Sequence, residues 1–515
     1  MSVVEIPSFQ NTSADSSLHF SPEQEITERC GIIGIRTVNP TAQFGRLLDA
    51  GIGVQHRGQL GAGIRFALTA ELGFAHVGNG LLRDVFTTDV VDKYKFKLLK
   101  TKSSMLHTRY GTNGGHEATN LQPCIATTSE GQEIAVIHNG QFVATGKMRS
   151  NLAKEGVFPE DDASDTRLFT ELLAKSKGDS WDERIVSTLD KVDGGYNLII
   201  QIGDTMYAAR DKHGMHPLVL GEIDFGDTKG TIVASETSGL NYAGAKYERY
   251  VRAGEILKVD DAGITSLRDG SDNNGAFCGF EKAYFANMGS LMPSGEAFAT
   301  FRERAGRLLA KRVKIDADFV LEVPDSAIDF ASGYASESGI PRQPYLRKTH
   351  FRPDSDGRLF QGDRSIASIG DKVLNKFVFV PGAHWKNAVI AVVDDSIVRG
   401  SESAVITAEL KRLEVKEVHW LLGFPPVRNT CHLGISLRTD QELIANRGDV
   451  AALIGADSVN YITPEEYVQA AFPGRELKIP RDQLDIALEN GHCLGCVTGR
   501  YPVGREGEIW TPQGD

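Results

Sequence analysis

The hydrophobic pattern of the chain changes about halfway along its length. From residue 30 to about residue 260, short apolar runs alternate with glycine-containing turns, which is typical of antiparallel strands. The clearest helix in this half is Leu168–Lys177, which Ser164 is placed to cap. The predicted strands are Ile32–Ile35, Ile134–Ile137, Tyr196–Ile202, Thr205–Arg210 and Thr231–Ala234. The pattern therefore predicts an α+β domain with antiparallel sheets.

Strands and helices alternate in the second half. Residues 265–276 are rich in aspartate, serine, asparagine and glycine and are predicted to form a linker. The elements predicted after it are helix Ala297–Val313, strand Phe319–Val323, helix Asp325–Ser338, strand Ala388–Val393, helix Ser401–Leu413 and strand Glu417–Leu422. This order predicts an α/β domain with a parallel sheet and right-handed crossovers. The chain is accordingly divided into residues 1–29, 30–265 and 266–515.

Length and charge narrow the class of protein. The 515 residues are enough for at least two domains, and they contain no apolar run long enough to span a membrane. The net charge of −12 is unlike that of a general nucleic-acid binder. Residues 1–29 lack the apolar core of a secretory signal, and their acidic residues argue against a transit peptide. We therefore expect a cytoplasmic protein that binds neither membranes nor nucleic acids, and the simplest interpretation of its first 29 residues is a disordered tail.

Four polar clusters lie between the strands of the first half. They are Gln55-His-Arg-Gly-Gln59, His107-Thr-Arg-Tyr110, His138-Asn-Gly140 and Ser164-Asp165. Each is a weak signal alone, and Asn139-Gly140 is the usual sequence of a tight hairpin turn. In this order, after Cys30-Gly-Ile-Ile-Gly-Ile35, they resemble the class II glutamine amidotransferases, and the resemblance continues through 210–218 and 234–237. The resemblance implies an N-terminal-nucleophile (Ntn) hydrolase fold.

Hydrolysis of the glutamine side-chain amide requires a nucleophile, a base, an oxyanion pocket and recognition of the amino-acid end. If residues 1–29 are removed, Cys30 carries both its thiol and a free α-amine. The usual α-amine pKa of about 7.7–8.0 suits this group to accept the thiol proton. The N-terminal segment is therefore better interpreted as a propeptide than as a tail.

The resemblance also assigns the other glutaminase residues. It implies that Asn139 and Gly140 stabilise the oxyanion. It further implies that Arg109 binds the α-carboxylate of glutamine and that Asp165 binds its α-ammonium, because a zwitterion needs one fixed charge of each sign.

A second candidate site follows the predicted strand Ala388–Val393. The sequence Asp394-Asp-Ser-Ile-Val-Arg-Gly-Ser-Glu-Ser403 places two carboxylates at the end of a parallel strand and a glycine turn before a helix. The carboxylates could hold ribose hydroxyls or Mg²⁺, and the helix N-terminus could receive a phosphate. On the pattern alone, a plain strand–turn–helix with solvated aspartates is the slightly favoured interpretation. However, the segment resembles the phosphoribosyl-pyrophosphate (PRPP) signature of amidophosphoribosyltransferases.

That resemblance implies a type I phosphoribosyltransferase domain and a complete reaction. Ammonia from glutamine would attack C1 of Mg²⁺-bound PRPP, giving 5-phosphoribosylamine and pyrophosphate as the first step of purine synthesis. The family also implies a homo-oligomer that purine nucleotides inhibit. The implied PRPP residues are Asp325, Ser326, Asp394, Asp395, Ser396, Arg399, Gly400, Ser401 and Ser403. The implied magnesium residues are Ser290, Asp394 and Asp395.

Two departures from the family pattern leave alternatives open. Glu402 stands where the family has threonine, and a carboxylate repels a phosphate unless it points away or bonds a cation. The family's lid motif appears only as Arg358-Leu-Phe-Gln361. These departures favour, as an alternative, an amidotransferase that aminates a different phosphorylated acceptor. A third hypothesis is a regulatory protein without catalysis.

Four cysteines in the second half form a candidate metal site. Cys493-Leu-Gly-Cys496 is half of such a site, and Cys278 and Cys431 complete a set of four. Spacing alone does not distinguish Zn²⁺ from a [4Fe–4S] cluster. The resemblance implies the cluster, because one branch of the family has cysteines at these places. The remaining thiol, Cys124, is interpreted as a packing residue.

Overall fold

The structure is a computed structural model, and it describes residues 30–68, 72–110, 120–270, 275–349, 376–435, 437, 439–478, 480, 482 and 485–505. The predicted propeptide (1–29) and the lid motif (358–361) lie outside the described residues.

The first half contains two antiparallel sheets. Its strands are β1 (Gly31–Ala42), β2 (Gly61–Ala67), β3 (Gly73–Asn79), β4 (Lys100–Arg109), β5 (Cys124–Thr127), β6 (Glu133–Phe142), β7 (Gly194–Ile202), β8 (Thr205–Arg210), β9 (Val219–Asp224), β10 (Lys229–Ala234), β11 (Lys246–Tyr250), β12 (Ile256–Asp260) and β13 (Gly263–Arg268). Its helices are α1 (Phe44–Gly53), α2 (Leu82–Val85), α3 (Thr88–Lys93), α4 (Thr145–Lys154), α5 (Asp165–Ala174), α6 (Trp181–Leu189) and α7 (Thr237–Tyr242).

The two sheets pack face to face around an apolar core. One sheet has the strand order β11-β9-β10-β1-β4-β2-β3, and the other has the order β13-β12-β8-β7-β6-β5. Ile32 of β1 and Ile137 of β6 meet in the core between the sheets. β1 and β6 are therefore opposed across this core, with helices covering the outer faces.

The second half is built on a four-stranded parallel sheet. Its strands and those around it are β14 (Phe277–Cys278), β15 (Phe319–Glu322), β16 (Leu346–Lys348), β17 (Phe377–Phe379), β18 (Val389–Asp394), β19 (Glu417–Leu422), β20 (Ser458–Tyr461) and β21 (His492–Cys493). Its helices are α8 (Phe298–Arg312), α9 (Ile328–Ser338), α10 (Ser401–Arg412), α11 (Val450–Ile454), α12 (Pro464–Ala471), α13 (Ile486–Glu489) and α14 (Gly495–Thr498). The parallel order is β15-β18-β19-β20, so β18 has a neighbour on each side.

Several element predictions need correction. Residues 265–268 belong to β13, which pairs with β12, so the predicted linker begins too early. Residues 139–140 lie inside β6 and are not a hairpin turn. Helix α9 begins at Ile328 instead of Asp325, because a turn occupies residues 324–327. Among the described residues, no helix is both long enough and apolar enough to cross a membrane.

Candidate active site

The first site begins at Cys30, which is buried and immediately precedes β1. In the antiparallel pair of β1 and β4, Gly31 faces Thr108, so the next position places Cys30 beside Arg109. The Gly31 N–H donates to Thr108 Oγ1 over 3.2 Å, and Arg57 Nε donates to the Cys30 carbonyl oxygen over 3.3 Å. The predicted nucleophile and the predicted carboxylate-binding arginine are therefore adjacent on neighbouring strands.

The predicted oxyanion residues lie within β6. The Asn139 side chain is fully buried, and neither its Oδ1 nor its Nδ2 has a hydrogen-bond partner in the described part of the chain. Such an amide costs about 1–3 kcal/mol of folding free energy unless a ligand bonds it. Gly140 has a φ of 135°, and a Cβ there would lie 2.0 Å from the Gly195 carbonyl oxygen. Glycine is required at this position for both reasons.

Asp165 is held rigidly at the start of α5. Ser164 caps this helix as predicted, because its Oγ accepts the Arg167 N–H over 3.2 Å. Asp165 Oδ1 accepts the Thr166 N–H over 2.7 Å, and Oδ2 accepts the Phe142 N–H over 2.9 Å. Phe142 is the last residue of β6, so the carboxylate is fixed beside the strand that carries the predicted oxyanion residues.

Two buried titratable groups lie near these charges. Burial raises the pKa of the Cys124 thiol to about 11, and the charges of Asp165 and Arg109 also act on it. Burial lowers the pKa of His107 to about 3, and the nearby Arg109 and His138 add to that shift. The predicted glutamine-binding groups therefore converge on one region of the interior, and Cys124 is a buried thiol, as expected for a packing residue.

An ion network that sequence reasoning missed joins the two halves. Arg57 Nη1 donates to Glu236 in the first half and to Glu281 in the second, and all three side chains are fully buried. Burial alone would raise the pKa of Glu236, but His56 and Arg57 hold it well below its usual value. Glu236 Oε2 also accepts the Asn287 N–H over 2.9 Å. The partners of Arg57 lie 179 and 224 residues away along the chain, so no local spacing could have indicated them.

A cavity of about 570 Å³ lies where the two halves meet. The second half contributes the C-terminal end of β18, the loop after it and the first turn of α10. The first half contributes His56, Gln59 and Tyr110. The predicted PRPP residues that line the cavity are Asp325, Ser326, Asp394, Asp395, Ser396, Arg399, Gly400, Ser401 and Ser403. The structure therefore brings together all nine residues that the resemblance implied.

The neighbouring carboxylates of Asp394 and Asp395 line this cavity. Asp394 is the last residue of β18, and its Oδ1 accepts the Asp395 N–H over 2.8 Å. Asp395 accepts hydrogen bonds from the hydroxyls of Ser326 and Ser396, the latter over 2.7 Å. Burial raises the pKa of both carboxyls, and for Asp394 the nearby charge of Asp395 adds to the shift. A bound cation would relieve this repulsion.

A glycine at the N-cap and an ion pair fix the loop between the aspartates and α10. Gly400 has a φ of 85° and stands at the N-cap of α10, while Arg399 Nη2 donates to Glu442 Oε2 over 2.8 Å. Ser290, predicted to accompany magnesium, is not among the residues that line the cavity. Its buried hydroxyl accepts the Ser238 N–H over 3.2 Å, and its place beside magnesium stays a prediction.

Glu402 does point toward the cavity, but it is paired with a cation. Its Oε2 accepts a hydrogen bond from Lys376 Nζ over 2.7 Å, and both residues line the cavity. Lys376 directly precedes β17, and Glu402 lies in the first turn of α10. The carboxylate that raised doubt about phosphate binding therefore has an ammonium partner, which the sequence spacing did not indicate.

The four predicted cluster cysteines lie close together. Cys278 in β14 pairs with Cys493 in β21, and the other three cysteines all raise the pKa of the buried Cys496 thiol beyond what burial alone does. Within the described ranges, no three His, Cys, Asp or Glu side chains are grouped closely enough to hold a single metal ion. As placed, the thiols do not form a compact tetrahedral zinc site. A [4Fe–4S] cluster suits a wider set, since each thiolate binds a different iron.

The cysteine segments also contact the first half. The Cys278 N–H donates to the Met215 carbonyl oxygen over 3.0 Å, and His216 Nε2 lies 3.2 Å from the Leu433 carbonyl oxygen. Met215, Leu433 and Cys493 belong to one small apolar cluster that also includes residues 143 and 503. The predicted metal site is therefore located at the junction of the two halves.

The fold and the two sites define a glutamine amidotransferase whose second half binds an acceptor in a parallel-sheet domain. Residues 107–242 match the family described as glutamine amidotransferase domain. Mouse amidophosphoribosyltransferase is 34% identical over 93% of this chain and 98% of its own length. The chain belongs to the amidophosphoribosyltransferase family.

Two solved structures have the same architecture. One is described as the allosteric regulatory enzyme of purine biosynthesis, with a TM-score of 0.80, 31% identity and coverage of 93% of this chain and 97% of that chain. The other is the glutamine PRPP amidotransferase of Bacillus subtilis complexed with ADP and GMP, with a TM-score of 0.76, 31% identity and coverage of 93% and 98%. The predicted Ntn and phosphoribosyltransferase fold classes are confirmed, as is the prediction of an enzyme.

Proposed function

We propose that the chain hydrolyses glutamine at Cys30 and transfers the ammonia to PRPP. The nitrogen lone pair of ammonia forms the bond to C1 of the ribose while the C1–oxygen bond to pyrophosphate breaks. The ammonia nitrogen then loses a proton to solvent, and 5-phosphoribosylamine, glutamate and pyrophosphate are the products. The observation that carries this proposal is the cavity that the loop 394–403 lines together with His56, Gln59 and Tyr110 of the glutaminase half.

Glutamine hydrolysis requires that residues 1–29 be removed. The α-amine of the new N-terminus then takes the thiol proton of Cys30, and the thiolate attacks the side-chain amide carbon. The α-ammonium returns the proton to the nitrogen as the C–N bond breaks and ammonia leaves, and water then hydrolyses the thioester to release glutamate. Arg109, adjacent to Cys30 in the strand register, receives the α-carboxylate of glutamine, and Asp165 receives its α-ammonium. Intact-mass measurement of purified protein tests the processing step, because a chain that keeps residues 1–29 should have no glutaminase activity.

The oxyanion that forms during this attack is stabilised by Asn139 and Gly140. The support for this role is the buried Asn139 amide, for which the described part of the protein supplies no hydrogen-bond partner. A substrate oxygen would satisfy Nδ2 at the moment when negative charge develops on it. Gly140 directly follows Asn139 within β6, and its backbone N–H is the second donor proposed for the oxyanion.

The acceptor is bound by the strand end and loop of the second half. Asp394 and Asp395 would hold the ribose hydroxyls and Mg²⁺, Ser396–Ser403 would hold the 5′-phosphate, and Asp325 and Ser326 would face the pyrophosphate. Two carboxylates are enough for Mg²⁺, since this ion usually takes its other ligands from water and substrate phosphates. When bound, Mg²⁺ would neutralise charge on the departing pyrophosphate. Ser290 remains the third residue predicted to accompany the ion.

A [4Fe–4S] cluster is proposed at Cys278, Cys431, Cys493 and Cys496. When bound, the cluster would cross-link segments that are far apart in the sequence. Purification without oxygen should give a brown protein with about four irons per chain, and replacement of Cys496 by serine should lower this iron content. Zinc in place of iron would contradict the proposal.

Regulation, assembly and location follow the family. Because the Bacillus subtilis relative is described as complexed with ADP and GMP, we propose that purine nucleotides inhibit this chain as well. A homo-oligomer in the cytoplasm remains our prediction. Size-exclusion chromatography with light scattering, with and without nucleotide, tests assembly.

The alternative of a different phosphorylated acceptor is not favoured. It was motivated by Glu402 and by the altered lid motif. Glu402 is neutralised by Lys376, and the relatives that cover nearly the whole chain are amidophosphoribosyltransferases. The regulatory hypothesis is not favoured either, because the same relatives are enzymes.

The decisive experiment measures glutamate, pyrophosphate and phosphoribosylamine from the mature protein. Glutamine hydrolysis should rise strongly when PRPP is added, and pyrophosphate should appear in step with glutamate. Cys30→Ala should abolish the glutamine-dependent reaction while leaving the ammonium-dependent reaction intact. Asp394→Asn is the matched variant for the acceptor half and should impair both reactions. Strong glutaminase activity that ignores PRPP and releases no pyrophosphate would overturn the proposed function.

A further inference from the structure

Lys376 and Glu402 form an ion pair in the cavity, at the first turn of α10, where the 5′-phosphate is proposed to bind. Lys376 Nζ lies 2.7 Å from Glu402 Oε2, and their side chains remain 28% and 36% exposed. Both line the cavity together with Ser401 and Ser403, which begin α10. The pair is therefore accessible from the space in which the proposed 5′-phosphate would lie.

The charges of this pair decide whether a phosphate can bind there. Glu402 alone would repel a phosphate dianion at the N-terminus of α10. Lys376 neutralises that charge, and an ammonium group has three N–H donors, so it can bond a carboxylate and a phosphate at the same time. The carboxylate also restricts an otherwise flexible lysine to one side of the cavity, which lowers the entropy that phosphate binding must remove.

The same two residues share a cavity with the aspartates that are proposed to hold magnesium. Lys376 and Glu402 line it together with Asp394 and Asp395. The pair therefore lies within the electrostatic field of the acceptor site and is not a remote surface contact. A substitution of either residue should therefore change the affinity for the acceptor.

We propose that Lys376 binds the 5′-phosphate of the acceptor and that Glu402 positions Lys376 for this contact. This inference rests on the proposed function and extends it to two residues that the family resemblance did not assign. Lys376 touches the substrate, whereas Glu402 acts through Lys376. The glutamate that departs from the family pattern is then part of a two-residue phosphate site.

The test uses a set of charge-removing variants of the mature protein. The initial rate of pyrophosphate release is measured against PRPP concentration with ammonium as nitrogen source, so that the glutaminase half does not contribute. Lys376→Met should raise the KM for PRPP about 10- to 100-fold with little change in kcat, because a charged hydrogen bond is lost and Glu402 is left unopposed. Glu402→Gln should raise this KM about two- to fivefold, because Lys376 loses the carboxylate that positions it, and an unchanged or lower KM would overturn the positioning role of Glu402.

The double variant distinguishes a phosphate site from a structural ion pair. Lys376→Met with Glu402→Gln should recover at least about fivefold in KM relative to Lys376→Met alone, since no carboxylate remains to repel the phosphate. If the pair were only structural, the double variant would bind PRPP no better than the single one. The matched control is Lys386→Met, which breaks a surface pair of the same 2.7 Å length with Glu414 and should leave KM unchanged.

Binding of ribose 5-phosphate, measured by calorimetry on the same variants, separates this inference from the proposed function. The order of affinities should again be wild type above the double variant and the double variant above Lys376→Met. If the wild type released no pyrophosphate from PRPP but showed this order, the acceptor assignment would be wrong and the phosphate pair would stand. If Lys376→Met bound ribose 5-phosphate as tightly as the wild type, the proposed phosphate-binding role of the pair would be overturned.

Discussion

Gly434 of the second half lies against Gly140 of the glutaminase half: a Cβ built on Gly434 would be 3.4 Å from the Gly140 Cα. The same Cβ would be 3.4 Å from His216 Nε2. The carbonyl oxygen of the preceding residue, Leu433, lies 3.2 Å from His216 Nε2. A Cβ on Gly195 would lie 3.1 Å from the same Leu433 oxygen. The proposed oxyanion strand is therefore supported by a turn from the acceptor half.

This contact predicts a long-range effect of Gly434→Ala. Gly434 has a φ of 108°, so alanine adds both backbone strain and a methyl group against Gly140. Glutaminase kcat/KM should fall about tenfold or more, because small displacements of oxyanion donors are costly. The ammonium-dependent rate should change less than about twofold, since the acceptor cavity is not touched.

Gly455→Ala is the control for backbone strain. Gly455 ends α11 with a φ of 74°, but a Cβ there would meet nothing within 4 Å. Gly455→Ala should lower the free energy of unfolding without a selective loss of glutaminase activity. Equal glutaminase losses in the two variants would show that the contact with Gly140 has no functional effect.

Asn139→Leu should separate catalysis from stability. Loss of one oxyanion donor should lower the glutaminase kcat about 10²- to 10³-fold. The free energy of unfolding should stay equal or increase, because the substitution removes a buried amide that has no hydrogen-bond partner in the described residues. Denaturant unfolding and glutaminase assays on the same samples check both points. A large loss of stability would mean that the amide has a structural partner.

His107 should make the protein less stable in acid. Its folded-state pKa of about 3 lies below its usual value of 6.5, so between these two pH values only the unfolded chain binds the proton. The contribution of His107 to stability is complete above pH 6.5 and is lost as the pH falls toward 3, by up to about 1.4 kcal/mol per pH unit. Urea unfolding of wild type and His107→Asn between pH 5 and 8 checks this, with the variant expected to show the shallower slope.

Breaking the buried ion network should weaken the junction between the halves. Arg57→Met leaves Glu236 and Glu281 without their shared cation, and it should cost about 3–5 kcal/mol of unfolding free energy. The control is Arg307→Met, which removes an exposed pair with Glu303 and should cost less than about 0.5 kcal/mol. Calorimetry of thermal unfolding would measure the stability of both variants. Similar losses of unfolding free energy in the two would contradict the role given to Arg57.

The sequence predicted most accurately those features that depend on neighbouring residues. The β8 prediction, Thr205–Arg210, matches the observed strand, as does the β19 prediction, Glu417–Leu422, because alternating or continuous apolar runs between turns are local signals. The Ser164 cap is local in the same sense. Helix α1 (Phe44–Gly53) was missed, since its glycines weaken the helical pattern although its apolar residues pack against the sheet.

The features that could not be predicted are those formed between distant segments. Asn139-Gly140 has the composition of a turn, but pairing with β7 keeps it extended inside β6. The partners of Arg57 and of Glu402 are contributed by other parts of the chain, and a single sequence contains no record of such contacts. The resemblance to a family supplied the site residues, and the structure supplied the pairs that hold them.

The last described residue of the chain, Arg505, contacts the segment that follows the proposed oxyanion strand. The Ala144 N–H, just after β6, donates to the Arg505 carbonyl oxygen over 3.2 Å, and Cys493 in β21 pairs with Cys278 in β14. On the ribosome, the glutaminase half emerges long before these partners do. The hydrogen bond between Ala144 and Arg505 therefore forms only near the end of synthesis, after the rest of the glutaminase half has emerged.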